Sequence, residues 1–345
     1  MLDWFAGLVG YDASNVTNGR VINLSPEGEI DWQVDRWESA TGSYESNMRI
    51  KQDSASSEMF KASRELGYLC SPLCLRIEGN PTKFLQGHNI VGPPVSMLGS
   101  IVQAAVRSFP GTLRPLDCDS DILPAVKRSR VDVTAMVDLG DHKTVHEWLT
   151  HAGQETRSRH GRAQTSGSTV YWGKNSTRWA LKAYCKQCEL KEHPPKYPLS
   201  EDVLEWSGRL LRIELTLRRP ELKDRGTLDE SLIWEFMQRV EVGIMKTVEI
   251  EGANLPRQVR DTFRLWLSGF DVKSDRPIRT FYWQRKKILE EIGIDISLSP
   301  TEQMKKLEDS GFDRNLFDIE VLKSRVVDER EYPEDLRKSL FGSQL

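Results

Sequence analysis

No stretch of this chain approaches the roughly 18 apolar residues of a membrane span, and the opening MLDWFAGLVGYDASNVTNGR has no basic leader before a long apolar run. Both absences lead to the expectation of a cytosolic or cytoplasm-facing protein with no membrane partner. Cysteine is scarce: Cys70, Cys74, Cys118, Cys185 and Cys188 are an odd number at irregular spacing, which argues against a secreted disulfide framework and reads as reduced thiols. Four familiar motifs are also missing. There is no G-x-x-x-x-G-K-[ST] loop, no G-x-G-x-x-G after a strand, no H-E-x-x-H and no G-x-S-x-G. A P-loop ATPase, a dinucleotide enzyme, a zincin and an α/β-hydrolase are thereby set aside, and no nucleotide cofactor is expected.

Basic excess is lacking overall, the formal net charge being -3. The average conceals a local field: Arg157, Arg159, Arg162, Lys174, Arg178, Lys182 and Lys186 fall between Thr156 and Lys186 with no Asp or Glu among them. Such a run suits a phosphate backbone, and it equally suits an ordinary solvated face. With 345 residues, 38% of them hydrophobic, the chain can bury two cores, so a globular protein of two domains is expected.

The first part of the chain patterns as strands and turns. GRVINL, SPEGE and IDWQVDRW read as a hairpin whose second strand is half-buried, and SPLCLRIEG reads as a strand closed by the turn residues Gly79-Asn80-Pro81. PVSMLGSIVQAAVRSF is an amphipathic helix. SRVDVTAMVDLG alternates so that Asp132 and Thr134 share one strand face. HKTVHEWLTHAG reads as a short helix, TSGSTVYWG and RLLRIELTLRR as strands, and RWALKAYCKQCELKE fits either a strand or a helix. Beyond Pro220 the pattern turns helical: DESLIWEFMQRVEVGIMKTVEI, LPRQVRDTFRLWLSG and RPIRTFYWQRKKILEEIG. The expected fold is α+β, an antiparallel sheet flanked by helices with a mainly helical C-terminal region, divided into residues 1–220 and 221–345.

Three polar residues stand in apolar contexts, where an unpaired charge is costly: His88 in KFLQGHNIVGPP, Asp132 in RVDVTAM and Glu214 in LLRIELTL. One imidazole and two carboxylates suit a divalent cation such as Mg²⁺ or Mn²⁺. A histidine beside Asn and Gly also caps turns, and a lone acid on a strand also faces solvent. The pattern leaves both readings open. Cys185 and Cys188 form a single C-x-x-C with no matching second pair, which argues against a zinc knuckle.

Four ordered boxes then carry a resemblance. KFLQGHNIVG, SRVDVTAM, STVYWGKNSTRWALKAYCKQCEL and GRLLRIELTLR resemble, in order and separation, the gene II replication initiation proteins of filamentous bacteriophages, over roughly residues 20 to 220. That family in turn resembles the tyrosine-dependent rolling-circle endonucleases. The resemblance implies a nickase and strand transferase with Tyr184 as nucleophile, in the A-Y-x-K-x-x-E-L box, and Lys186 beside the scissile phosphate. It also implies His88, Asp132 and Glu214 as ligands of Mg²⁺ or Mn²⁺. Origin DNA, as double-stranded replicative form and as single strand, a host helicase and a host polymerase are the implied partners, and the host bacterial cytoplasm the implied location. The paired histidines usual in the wider group, H-x-H on a strand, are absent; His142 and His146 are spaced for a helix.

If RWALKAYCK is a strand, Lys182, Tyr184 and Lys186 share one face; as a helix they diverge. Tyr171 and Tyr197 are the nearby competitors for the nucleophile. Arg157 to Lys182 would line the DNA path, with Trp172 and Trp179 able to stack on unpaired bases or to fill a core. Arg276, Arg279, Arg285, Lys286 and Lys287, around Phe281, Tyr282 and Trp283, form a second basic cluster that could hold duplex DNA. Two rival functions keep the same residues: a non-catalytic DNA-binding regulator, and a metal-dependent nuclease that uses water.

Overall fold

The structure is a computed structural model that describes residues 1–10, 19–42, 44–65, 73–109, 126–195, 198–242, 255–292, 294–300, 302 and 312–338. Cys70, Cys118 and Tyr197 lie outside the described residues. The strands are β1 Leu2–Val9, β2 Arg20–Leu24, β3 Ile30–Asp35, β4 Glu38–Thr41, β5 Asn47–Ser54, β6 Leu73–Gly79, β7 Val126–Asp138, β8 Thr156–Ser158, β9 Gly161–Arg162, β10 Gln164–Ser166, β11 Thr169–Trp172, β12 Trp179–Cys185, β13 Leu210–Arg218 and β14 Val240–Val242. Among them stand helices α1 Ser57–Glu65, α2 Pro81–Gln86, α3 Leu98–Arg107, α4 His142–Glu155, α5 Lys186–Glu192, α6 Glu201–Gly208, α7 Arg219–Lys223, α8 Ser231–Met237, α9 Arg257–Leu267 and α10 Ile278–Ile292.

Nine strands form one sheet in the order β10-β11-β12-β13-β7-β1-β6-β5-β4, with every neighbouring pair antiparallel. The expected α+β architecture is therefore the observed one. Strand periodicity gives the sheet two unlike faces. On one face Leu211, Ile213, Leu215 and Leu217 of β13 join Leu181 and Ala183 of β12 and Val131 and Val133 of β7 in the main core, closed by Val102 of α3, Trp148 of α4 and Phe236 of α8. Each fully buried Leu or Ile there contributes roughly 1.5–3 kcal/mol. The opposite face carries Lys182 and Tyr184, Arg212, Glu214 and Thr216, and Asp132 and Thr134, aligned by the pairs Lys182↔Glu214, Tyr184↔Arg212, Glu214↔Thr134 and Thr216↔Asp132.

A second apolar cluster closes one end of that polar face, with Ile90 and Val91 packed among Met136, Leu190, Val203 and Leu210. The chain reaches it through a cap that the sequence disguised as a plain turn. The Asn80 side chain accepts from the Lys83 amide, Pro81 starts α2, and Gly87, at φ 83, ends it in the left-handed conformation that glycine tolerates. His88 and Asn89 are thereby delivered over the sheet.

Three local expectations change. The β2–β3 hairpin forms, but both strands are wholly exposed, Val21, Trp32 and Val34 included, because neither strand joins the large sheet. The long helix expected from Asp229 onward stops at Met237; the β-branched Val240 and Val242 then extend β14, which pairs with β8. RWALKAYCKQCELKE is both things at once: strand to Cys185, helix from Lys186.

Past residue 220, Leu222, Leu228, Leu232, Ile233, Phe236 and Met237 still belong to the main core, as do Phe312, Leu316 and Leu322. Residues 255–296 have a core of their own, in which α9 and α10 share Val259, Phe263, Phe281 and Ile288. No described helix is long and apolar enough to cross a membrane.

Candidate active site

Tyr184 is 6% exposed on the polar face of β12. Its hydroxyl donates to Glu214 Oε2 at 3.4 Å, and Glu214 Oε1 takes an ion pair from Lys182 Nζ at 2.8 Å. The Lys182 ammonium also stands 5.2 Å from the centre of the Tyr184 ring. A phenol, a carboxylate and an ammonium thus meet on two neighbouring strands, because the Lys182↔Glu214 register sets these side chains against one another. Burial, with the Asp3 charge, pushes Glu214 up to about 8 against the pull of Lys182. Burial likewise raises the Tyr184 hydroxyl well above 10, with Arg212 pulling the other way. For Lys182, burial acts to lower the ammonium, and Glu214 outweighs it to give a net rise.

Beneath this trio lies a residue that sequence reading missed. Between Leu2 and Trp4 the β1–β7 register slips by one, and the extra residue is Asp3, whose carboxylate reaches Arg212 Nη2 at 2.7 Å. Asn80 and Asn89 each donate to Asp3 Oδ1, at 2.8 and 2.9 Å. Burial would raise Asp3, but Arg212 and the Asn89 hydrogen bond bring it down to about 2. Arg212 is fully buried, donates to the Asn89 carbonyl and is raised by Asp3 in spite of burial. The sequence signal for Arg212 was a second charge, two residues before Glu214, inside the largely apolar LLRIELTL; for Asp3 there was none, since a bulge is invisible to alternation.

Lys186, at the start of α5, is also fully buried. Its Nζ contacts Glu189 Oε2 at 2.7 Å and Asn89 Oδ1 at 3.2 Å, and burial together with Arg212 brings it down to about 8. Asn89 is therefore shared by Asp3, Arg212 and Lys186, so this residue of the LQGHN box braces the site one position from His88.

The three expected cation ligands fare differently. His88 is buried, with Nδ1 3.3 Å from Gln86 Nε2, and burial plus the Lys186 charge lower it to about 4. Asp132 is 1% exposed and its carboxylate is clasped by Arg130, Nε to Oδ1 at 2.8 Å. Glu214 is committed to Lys182 and Tyr184. Among the described residues, His88, Asp132 and Glu214 do not converge into a donor set for an ion, so they do not fit a preformed Mg²⁺ or Mn²⁺ site. One set that does converge is His142, His146, Cys185 and Cys188.

The basic run is partly neutralised by partners that only the fold supplies. Arg157 pairs with Glu241 at 2.8 Å, and Arg178 with Glu221 at 3.0 Å and Asp224 at 2.9 Å. Arg162 donates to the Gln154 carbonyl, Lys174 lies 4.6 Å from the Tyr171 ring centre, and Arg159 lies 5.8 Å from that of Trp179. Trp172 and Trp179 are buried in the main core, against Trp148 and Phe236, so neither is offered to a base. In the tail cluster Phe281 is core and Arg285 pairs with Asp295 at 2.6 Å, whereas Tyr282 and Trp283 are exposed.

The family model for the N-terminal part of the phage replication-associated protein, the gene II product, matches residues 1–242. The chain belongs to this gene II replication-associated protein family. It is 32% identical over 317 residues to the replication-associated protein of Enterobacteria phage I2-2, spanning 87% of this chain and 88% of that protein. It is 28% identical over 177 residues to the replication-associated protein of Enterobacteria phage M13, spanning 44% of this chain and 42% of that one. Since 87% of the chain reaches past residue 242, the likeness to the I2-2 protein runs into the C-terminal helices. The solved structure of a rolling circle replication initiator protein from Geobacillus stearothermophilus covers 72% of this chain and 88% of its own, at 11% identity and a TM-score of 0.33, too loose a likeness to assign residues. The resemblance read from the four boxes and the family assignment agree.

Proposed function

We propose that this gene II-family chain is a phage replication initiator that nicks one strand of double-stranded replicative-form DNA at the origin and rejoins the displaced strand, with Tyr184 as nucleophile. The observation that carries the residue assignment is the Tyr184 hydroxyl against the Glu214 carboxylate, 3.4 Å away, with the Lys182 ammonium on the other carboxylate oxygen. Tyr184 Oη attacks the scissile phosphorus as its proton passes to Glu214, and the bond from phosphorus to the 3'-oxygen breaks. The products are a 5'-phosphotyrosine and a 3'-hydroxyl, the latter protonated from solvent or from Glu214. Attack by a 3'-hydroxyl on the same ester reverses the step, conserves the bond and closes the released strand.

The cationic groups offset charge that develops on the phosphate oxygens. Lys182, about one third exposed at its side chain, is the part of the trio that an incoming phosphate meets first. Its release from Glu214 frees the carboxylate to accept the tyrosine proton. Lys186 is held by Glu189 and Asn89 and positions the loop over the site. No step is routed through a cation held by His88, Asp132 and Glu214, since these do not converge. Arg159, Arg162 and Lys174 remain the candidates for the DNA path in the basic run. Host helicase and polymerase action on the 3'-end, in the bacterial cytoplasm, completes the reading.

The division into a nicking domain and a helical C-terminal domain is proposed with its boundary later than residue 220. Residues 222–237 complete the main core and 312–322 return to it, whereas 255–296 pack on themselves.

Supercoiled origin plasmid incubated with the full chain and Mg²⁺ or Mn²⁺ should yield a nicked circle and a covalent protein-DNA adduct that maps to Tyr184. Tyr184→Phe should form neither, and Tyr171→Phe should keep both. An adduct on Tyr171 overturns the site while leaving the function. Nicking without an adduct points to a nuclease using water, and unchanged activity of Tyr184→Phe in phage replication points to the regulator.

A further inference from the structure

The second convergent group lies at the C-terminal end of β12, on the face opposite Tyr184, and has no role in the nicking chemistry above. His142 and His146 are one turn apart on α4, and Cys185 and Cys188 bracket the junction of β12 with α5. All four donor atoms lie within 4.8 Å of one another. His142 Nε2 and His146 Nε2 are 3.2 Å apart, His146 Nε2 and Cys188 Sγ 3.3 Å, and His142 Nε2 and Cys188 Sγ 3.6 Å. Tetrahedral Zn²⁺ with bonds of about 2.05 Å to nitrogen and about 2.3 Å to sulfur has edges of about 3.3 Å between two nitrogens and about 3.6 Å between nitrogen and sulfur. The observed separations are close to those edges.

The chemistry of the donors agrees with the geometry. Two thiolates and two neutral imidazoles around Zn²⁺ sum to zero charge, which suits a site whose Cys185 is fully buried while His142 is open to solvent. The Cys188 amide donates to Cys185 Sγ at 3.4 Å, an outer contact that orients this ligand. Soft sulfur ligands select Zn²⁺ over Mg²⁺ or Mn²⁺, so this group cannot stand in for the divalent cation expected at the nicking site. The exposed imidazole of His142 provides an entry path.

We propose that His142, His146, Cys185 and Cys188 bind one structural Zn²⁺. The ion would bolt α4 to the end of β12, directly after Tyr184, and fix the strand-to-helix change that carries Lys186 into its buried place. The missing second C-x-x-C is supplied by a helical H-x-x-x-H well upstream in the chain. This proposal stands apart from the assignment of the nucleophile.

Elemental analysis of the full chain, purified reduced and without chelator, should find one zinc per chain. Co²⁺ exchanged into it should give the intense visible absorption of tetrahedral cobalt with a sulfur-to-metal band in the near ultraviolet. His142→Ala, at an exposed ligand whose loss leaves the core intact, should weaken Zn²⁺ at least tenfold in chelator competition, and Cys188→Ser, which leaves the Cys185 sulfur in place, should lower the sulfur-to-cobalt band by about half and weaken the metal at least tenfold. A folded chain that holds no zinc, a weak octahedral cobalt spectrum, or zinc held equally well by both variants overturns the proposal. So does a Cys185–Cys188 disulfide found in the folded, freshly isolated chain.

Discussion

The two faces of β12 gather polar groups in opposite ways. Around Tyr184 each acid already has a cation: Asp3 has Arg212, Glu214 has Lys182, and nearby Asp132 has Arg130. Around Cys185 four donors face one another with no opposing charge among them. Buried charges are tolerated when paired or bound to metal. The first cluster satisfies that condition from within the chain, and the second asks for an ion. Acids in an apolar context are therefore a weaker sign of a metal than soft donors that converge without a counter-charge.

The sharpest test of the first cluster is Tyr184→Phe, which removes the nucleophile and should cost on the order of 10⁵-fold in nicking rate. Measured as single-turnover cleavage of origin plasmid, a loss below about tenfold would strip the Tyr184 cluster of its chemistry. Next, Arg212→Met leaves Asp3 buried without its cation and should cost about 3–5 kcal/mol in denaturant unfolding. The double change with Asp3→Asn should recover part of that loss; no recovery would show that the pair is not what holds the bulge. In the His-Cys cluster, Cys188→Ser should cost on the order of 3 kcal/mol in the zinc-loaded chain and almost nothing in a chain stripped by chelator. Equal effects in the two forms would erase the contrast between the clusters. Smallest is Lys182→Ala, expected to slow nicking about 10²-fold with little change in DNA affinity. A fall in affinity with the rate unchanged would make Lys182 an anchor for phosphate with no part in freeing Glu214.

Much of the sheet was legible in the alternation of apolar and polar residues: β7, β11 and β13 all lie where the pattern put them. The family was legible too, in four boxes whose order and spacing few chains share. Legibility failed where a residue's state depends on a distant partner. Trp172 and Trp179 looked equally suited to bases or to a core, and the choice fell to Trp148 and Phe236 from other elements. The hairpin of β2 and β3 alternated like a buried strand, yet the large sheet passes it by. The basic run looked like an open field because Glu221, Asp224 and Glu241, which answer Arg178 and Arg157, come much later in the chain.

The strand periods and the family were written in the chain, because these rest on local chemistry and on order along it. Tertiary structure alone decided which charges were paired, that Asp3 joins the site through a bulge, and that a helical histidine pair meets a C-x-x-C. Those outcomes depend on distances between residues remote in the chain, and only the packing of one strand or helix against another sets them.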